Sequence, residues 1–400
     1  MKKHNFVHCG DLHLGCTPNH LEERYEDFFI SFKDLIDNAI NNKCEYMLIS
    51  GDLFHLKVIN SKTLLKVVDL LEYAKDNNIK IFVIEGNHDK AFYVDADSWL
   101  VFLHEKKYIT LLSHKIVNNE LVLDENSIYE DENIRIIGIG YLGATTSLYL
   151  KDIENKISKS NKFTVLMLHA AINRLYGEEM GDVSIDLLRP LKEKVDYVAL
   201  GHIHTNYEYD DFCYNPGSIE NIRIKDATKS DKKGYYIVSF DDKKQKDVNF
   251  YISKQRKIYN ISLKLEDDKS IIDIEKYIKE YDYNLEESSV LELSLYGTTS
   301  FNPYVINFDD IKQTIMNKYK LLYIDINNYI NIMSSNTNMN DVIDIKSIEK
   351  EAIGSFLSVN FPTIENNKEL VDTIITLKNA IIEEQEYDQI VKNMLEKGEE

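Results

Sequence analysis

The sequence predicts an α/β sandwich flanked by helices, followed by a small α+β capping domain and a C-terminal helical tail. The first observation behind this is a series of apolar runs that each lead into Asp, Asn or His. Residues 6–9 lead to Asp11-Leu12-His13, 46–49 to Gly51-Asp52, 81–84 to Gly86-Asn87-His88-Asp89, 163–168 to His169, and 197–200 to Gly201-His202-Ile203-His204. Short apolar runs bounded by turn residues read as buried strands, and an α/β sheet builds its sites at their carboxyl ends. The second observation is helical periodicity in the intervals between the runs. The third is a change of rhythm near residue 257 and again at 333–340.

Taken in order, Phe28, Phe29, Phe32, Leu35, Ile36, Ala39 and Ile40 recur at helical spacing, which makes residues 22–42 a helix behind the first strand. Leu64, Leu65, Val67, Val68, Leu71 and Ala74 mark a second helix. Trp99 sits among Leu100, Val101, Phe102 and Leu103 and is expected in the core. Beyond His114 the pattern shortens to strands at 116–117, 121–123 and 134–139, and the runs 235–240 and 248–252 read as a hairpin. Strands at 259–263, 290–295 and 321–326, with helices around 269–280 and 308–318, make up the small domain. The polar segment 333–340 reads as a linker. Beyond it come apolar stripes on Ile345, Ile348, Ala352 and Phe356, then Leu370, Ile374, Leu377 and Ile381, then Tyr387, Ile390, Val391, Met394 and Leu395. The domains expected are therefore 1–256, 257–332 and 341–400.

Composition narrows the class. A hydrophobic share of 44% supports packed cores, and 28% charged residues is ordinary for a globular chain. No apolar run approaches the roughly 20 residues of a membrane span, and the N-terminus lacks a signal-peptide pattern. Cys9, Cys16, Cys44 and Cys213 have no ligand spacing, which suits a reduced, cytoplasmic protein. A net charge of −20 taken alone argues against a nucleic-acid partner. The distribution of that charge argues the other way. Residues 341–400 carry 14 acidic and 6 basic residues, whereas 223–257 carry 11 basic residues against 5 Asp.

The strand-terminal residues have the chemistry of a two-metal phosphoesterase. Two close divalent cations need mixed nitrogen and oxygen ligands and one bridging carboxylate, and together they activate water and stabilise displacement at phosphorus. Asp11 and His13, two residues apart, can reach one metal. Asp52, alone at its strand end, is the natural bridge. Asn87 adds a neutral oxygen where a phosphate must enter. His202 and His204 can diverge to different metals. Imidazole with carboxylate suits Mn²⁺, Fe²⁺ or Zn²⁺ better than Ca²⁺. Any one of these motifs alone is a weak signal; all of them in order leave little room for chance.

In this order the motifs resemble the signature of the calcineurin-like metallophosphoesterases. Within that superfamily the chain is similar to the SbcD-like DNA repair nucleases, including the YhaO-type proteins. Leu53-Phe54-His55 follows Asp52 where protein phosphatases carry a second Asp and an Arg, and Asn215-Pro216-Gly217-Ser218 follows the last histidine motif. The likeness is strong over 4–220, weaker through 255, and architectural beyond. It implies that Asp11, His13, Asp52 and His204 bind one metal, and that Asp52, Asn87, His169 and His202 bind the other, with Mn²⁺ the expected ion. It further implies that His88 stabilises the transition state and protonates the leaving oxygen, while His55 orients the scissile phosphate. Glu220-Asn221-Ile222-Arg223 departs from the fuller consensus, and Asp89 reads as a turn residue or an acceptor behind the site.

The function implied is metal-dependent DNA hydrolysis, as exonuclease and endonuclease, in repair or end processing. The resemblance also implies a homodimer and an SMC-like (SbcC-like) ATPase gripped by the C-terminal helices. Arg223, Lys225, Lys232 and Lys233, in the basic stretch, are candidate contacts to a DNA backbone. The alternative is a small-molecule phosphodiesterase or phosphatase of the same superfamily, whose substrate would need neither capping domain nor tail.

Overall fold

The computed structural model describes residues 2–91, 97–172, 183–227, 232–266, 269–332, 350, 353 and 367–382. The chain divides into two compact units, 1–331 and 332–400. The first begins with β1 (Lys3–Cys9), α1 (Glu22–Asn41), β2 (Tyr46–Ile49), α2 (Ser61–Asp76), β3 (Lys80–Val83), α3 (Trp99–Glu105) and β4 (Thr110–Leu111). A small hairpin, β5 (Lys115–Val117) and β6 (Glu120–Val122), precedes β7 (Ile128–Glu130), β8 (Ile134–Ile139), α4 (Thr146–Lys156), β9 (Phe163–His169) and α5 (Ile185–Leu188). Then come β10 (Tyr197–Gly201), β11 (Tyr207–Tyr209), β12 (Cys213–Asn215), β13 (Gly234–Asp241) and β14 (Lys246–Ile252).

These strands form two six-stranded sheets, ordered β14-β13-β1-β2-β3-β4 and β11-β12-β10-β9-β8-β7. The strands β1 to β4 run parallel, as do β8, β9, β10 and β12, while β13 and β7 pair antiparallel. Parallel strands buried on both faces explain why the runs in the sequence are continuously apolar. Side-chain alternation divides each strand between two cores. On β1, Phe6 faces the core between the sheets with Leu48, Phe82, Val165, Met167 and Tyr197, while Val7 and Cys9 face Phe28, Phe32, Leu35 and Val67 of the helices. A matching core under α4 and α5 covers the second sheet. The result is the expected helix–sheet–sheet–helix sandwich.

Next come β15 (Ile258–Lys264), α6 (Ile271–Glu280), β16 (Val290–Thr299), α7 (Phe308–Tyr319) and β17 (Tyr323–Ile332), whose strands form a separate three-stranded sheet. Leu263, Leu291, Leu293, Ile311, Ile315 and Ile324 give it its own core. Ser270 and Asn307 cap the two helices by accepting from the N–H of Asp273 and Asp310. Arg256 ties this layer to the sandwich: its guanidinium grips Asp27 of α1 at 2.6 and 2.7 Å and donates to Ser288 O at 2.7 Å.

The second unit contains α8 (Asn367–Ile382), where the stripe beginning at Leu370 was expected. The linker at 333–340 and the helix expected at 387–395 lie outside the described residues, and of the helix expected at 345–356 only residues 350 and 353 are described, both helical. Trp99 differs from expectation: it is half-buried and packs on the rim of the helix-side core, because α3 is short and lies at the edge of the sheet. Among the described residues no helix is long and apolar enough to cross a membrane.

Between the sheets one polar side chain has a complete set of partners. His8 on β1 is fully buried; its Nε2–H donates to Leu200 O at 3.0 Å and its Nδ1 accepts from the Tyr197 hydroxyl at 2.9 Å. Burial lowers its pKa to about 3, against the Leu200 carbonyl, which favours the proton. The unfolded chain therefore takes up a proton near pH 6.5 that the folded protein refuses until about pH 3, so stability falls as pH drops through that window. His8→Gln should destabilise the protein at pH 7, by about 1–3 kcal/mol for the lost buried hydrogen bonds. That gap should narrow by up to about 1.4 kcal/mol per pH unit below 6.5. Urea unfolding of the metal-free proteins from pH 7 to 4.5 checks this; a gap constant with pH would refute it.

Candidate metal centre

The strand ends of both sheets meet at one rim, and backbone geometry turns the side chains inward. Asp11 N–H donates to Gly51 O, His13 N–H to Asp52 O and Leu14 N–H to Leu53 O, at 2.9–3.0 Å, so the turns after β1 and β2 are laced together. Asp11, His13, Asp52 and His202 all have positive φ, of 49°, 44°, 52° and 94°. Such backbone is costly for residues with a Cβ and clusters at functional sites. Two glycines permit the approach: a Cβ on Gly51 would sit 2.2 Å from His169 Nδ1, and one on Gly86 would sit 2.0 Å from Asp52 Oδ1.

Every ligand expected from the sequence converges here. Asp52 Oδ2 lies 3.8 Å from His13 Nε2 and 3.6 Å from His169 Nε2, between the two groups, as a bridging carboxylate would. His204 Nε2 is 3.0 Å from His13 Nε2, and the ligand atoms of Asp11, His13 and His204 all lie within 4.8 Å of one another. On the other side, Asn87 Oδ1 is 3.2 Å from His169 Nε2 and 3.1 Å from His202 Nδ1. Since a carbonyl only accepts, the 2.7 Å contact of His169 Nδ1 to Ser50 O assigns the proton to Nδ1 and leaves the Nε2 lone pair facing Asp52.

His55 and His88 stand beside this group. Their rings stack 5.7 Å apart, and a nitrogen of each lies within 4.8 Å of one of His13. His88 N–H donates to Asp52 Oδ1 at 2.8 Å, and its Nδ1–H donates to His55 O at 2.6 Å, so Nε2 is the atom able to exchange a proton. Asp89 is no part of the inward set. Its carboxylate accepts from the N–H of Gly86, Leu53 and Phe54 at 3.0–3.3 Å and so ties the β3 turn to the β2 turn, the supporting role expected of it.

Electrostatics tests whether the residues suit cations. Asp11 is buried, and burial, reinforced by Asp52 and Asp89, raises its pKa well above the carboxylate range; His202 N–H and Lys233 act against this. Burial likewise raises Asp52, and raises Asp89 to about 7. Burial lowers His13 well below the usual imidazole value and His204 to about 3. Neutral imidazole lone pairs facing buried, mutually repelling carboxyls are a donor set that divalent cations satisfy.

The basic stretch fares differently. Arg223 and Lys232 are exposed, and the Lys225 side chain lies outside the described residues. Lys233 is only 1% exposed and donates to His204 O at 2.7 Å, so it is no contact for a DNA backbone. Lys244 pairs with Asp196 at 2.9 Å, Lys246 donates to Asp196 O at 3.2 Å, and Arg256 holds Asp27. Much of the run's positive charge is thus committed internally. Tyr141, which no motif in the sequence marks, lies 5.3 Å from the His202 ring and 5.8 Å from that of His169. Its position just after β8 was the available signal.

The calcineurin-like phosphoesterase family model matches residues 4–206, and the chain belongs to that family, whose members depend on a dinuclear metal centre. The chain is also similar to proteins named DNA double-strand break repair protein Mre11. That of Archaeoglobus fulgidus is 28% identical over 240 residues, 56% of this chain and 52% of the relative. That of Methanocaldococcus jannaschii is 31% identical over 245 residues, 59% and 62%. That of Sulfurisphaera tokodaii is 25% identical over 311 residues, 74% of each. The chain thus spans about half of the first of these relatives and 62% of the second.

Gly86→Ala should leave the sandwich folded yet expel Asp52 from its place, because the new Cβ meets Asp52 backbone as well as carboxylate. Elemental analysis after Mn²⁺ loading should show loss of bound metal with an unchanged far-ultraviolet circular dichroism spectrum. Full metal content would contradict the packing argument.

Proposed function

We propose that this protein is a two-metal nuclease that hydrolyses phosphodiester bonds in DNA, as exonuclease and endonuclease, with Mn²⁺ as its ion. The observation that carries this reading is His55. It follows Asp52 in the Gly51–His55 motif and, with His88, lines an open cleft beside the buried His13, where a phosphodiester would lie. The similarity to proteins named for double-strand break repair supports the choice of DNA.

Asp11, His13, Asp52 and His204 would hold one cation, and Asp52, Asn87, His169 and His202 the other. When bound, the pair supplies Lewis-acid activation of the phosphate and of water. The protein's own groups do the rest. His55 orients the scissile phosphate against the site. His88, with its Nδ1–H committed to His55 O, would take up a proton at Nε2 and deliver it from there to the leaving oxygen. Asp89 keeps the Asp52 and His88 turns in register. Arg223 and Lys232 would contact the DNA backbone outside the site. Residues 257–332 would cap the DNA, and 341–400 would dock an SMC-like ATPase; the net charge of −8 over that last segment makes it a poor ligand for DNA itself. The protein would work as a homodimer in the cytoplasm.

The test of substrate class is hydrolysis of end-labelled duplex, hairpin and single-stranded DNA with Mn²⁺, beside a chromogenic phosphodiester. Turnover of the chromogenic ester alone would overturn the nuclease reading. His88→Ala should retain both metals but lose about 10²–10⁴-fold in turnover. Asp52→Ala should lose the metal pair together with activity. Elemental analysis separates the two; equal metal loss in both would mean the roles are misassigned. Deletion of 341–400 should leave the remainder folded and active on simple esters, yet abolish binding to the ATPase. Thermal melting and a pull-down measure this, and undiminished ATPase binding would end the docking proposal.

A further inference from the structure

The Asn215–Ser218 motif marks the sequence strongly, yet none of its side chains reaches into the cluster of ligand atoms. Its contacts run instead to the turn that carries His202 and His204. Asn215 ends β12, the parallel neighbour of β10, and is completely buried. Its Nδ2 donates to Ile203 O at 2.7 Å and to Thr205 O at 2.9 Å, the carbonyls on either side of His204. The carbonyl of His204 itself accepts from Ser218 N–H at 3.1 Å and from the buried Lys233 ammonium at 2.7 Å. Gly217, at φ +75°, allows the strap to lie this close: a Cβ there would stand 2.6 Å from His204 O and 2.9 Å from Asn206 N.

His202 is secured by other means. Its N–H donates to both carboxylate oxygens of Asp11, at 3.1 and 2.9 Å. The two histidines of one turn therefore have separate anchors, and each belongs to a different metal of the proposed pair.

We propose that Asn215 and Lys233 are positioning residues for His204, holding its imidazole against His13 before a cation arrives and thereby setting the affinity of one metal site independently of the other. This rests on the two-metal reading. Lys233 also bears a positive charge near Asp11 and His204, and here two roles make opposite predictions. As a mere counter-charge it would repel a cation, and its removal would tighten metal binding. As a positioning group its removal would weaken binding at the His204 site.

The experiment is calorimetric titration of the metal-free protein with Mn²⁺ for wild type, Asn215→Asp, Lys233→Met, and the reference variants His202→Ala and His204→Ala. Asn215→Asp keeps the side-chain shape and removes both N–H donors; Lys233→Met keeps the aliphatic stem and removes the donor. Both should weaken one class of site by about 10–100-fold, the usual cost of losing a group that orients a metal ligand. They should resemble His204→Ala rather than His202→Ala, with the other class within a few-fold of wild type. Should Asn215→Asp fail to fold, Lys233→Met reads the same step. Tighter binding in Lys233→Met, or equal weakening of both classes, would overturn the proposal. A wild-type protein that binds no Mn²⁺ would overturn the two-metal reading with it.

Discussion

The burial of three carboxyl groups at one rim of the sandwich is the constraint to which the rest of the site answers. Asp11, Asp52 and Asp89 are withdrawn from water, and burial with mutual repulsion disfavours their ionised forms. The protein offsets part of this with backbone N–H groups. His202 donates to Asp11, His88 to Asp52, and Gly86, Leu53 and Phe54 to Asp89. Presenting those N–H groups goes with turns of positive φ and with glycines at positions where any Cβ would clash. These donors offset burial only in part, and burial holds the imidazoles of His13 and His204 neutral. What remains is a set of donors that divalent cations would satisfy.

Support for the site extends well behind it. His169 is oriented by Ser50 O, and Ser50 Oγ lies 3.1 Å from His8, which spans the inter-sheet core to Tyr197. On the opposite flank Arg24 of α1 joins Asp27 at 2.7 Å and Asn221 O at 2.6 Å, while Glu220 accepts from Arg256 N–H at 3.1 Å. This buried network connects α1, the segment after Ser218 and the junction with the three-stranded layer. Networks of this kind contribute little net stability but lose much when one partner is removed. The strap that holds His204 is thus continuous with the joint that seats residues 258–332.

Charge illustrates how composition misleads when read along the chain. The stretch 223–257 is basic by count, which suggested a path for DNA. Folding turns Lys233 inward to the His204 turn, Lys244 and Lys246 toward Asp196, and Arg256 to Asp27. Their partners lie between 29 and 229 residues away, so no local pattern announces them. Arg223 and Lys232 stay at the surface.

The gathering of the strand-end Asp, Asn and His residues and the positions of the main strands along the chain were legible in the sequence, because each depends on local chemistry. A buried parallel strand must be apolar throughout, and a strand-end ligand must follow it directly. The same is true of the helices of the 258–332 layer, which fell close to the expected bounds through apolar periodicity, whereas β16 and β17 run on to Thr299 and Ile332, past the expected ends at 295 and 326. Short edge strands such as β7 and β11 left no such mark, since a few half-exposed residues carry little pattern. Only the tertiary structure decided which nitrogen of His169 and His88 carries the proton, that Asp52 stands between two histidines from different sheets, and that Lys233 and Asn215 belong behind the site. Those outcomes rest on hydrogen bonds between residues distant in sequence, and the sequence encodes such pairs only through the folded backbone that brings them together.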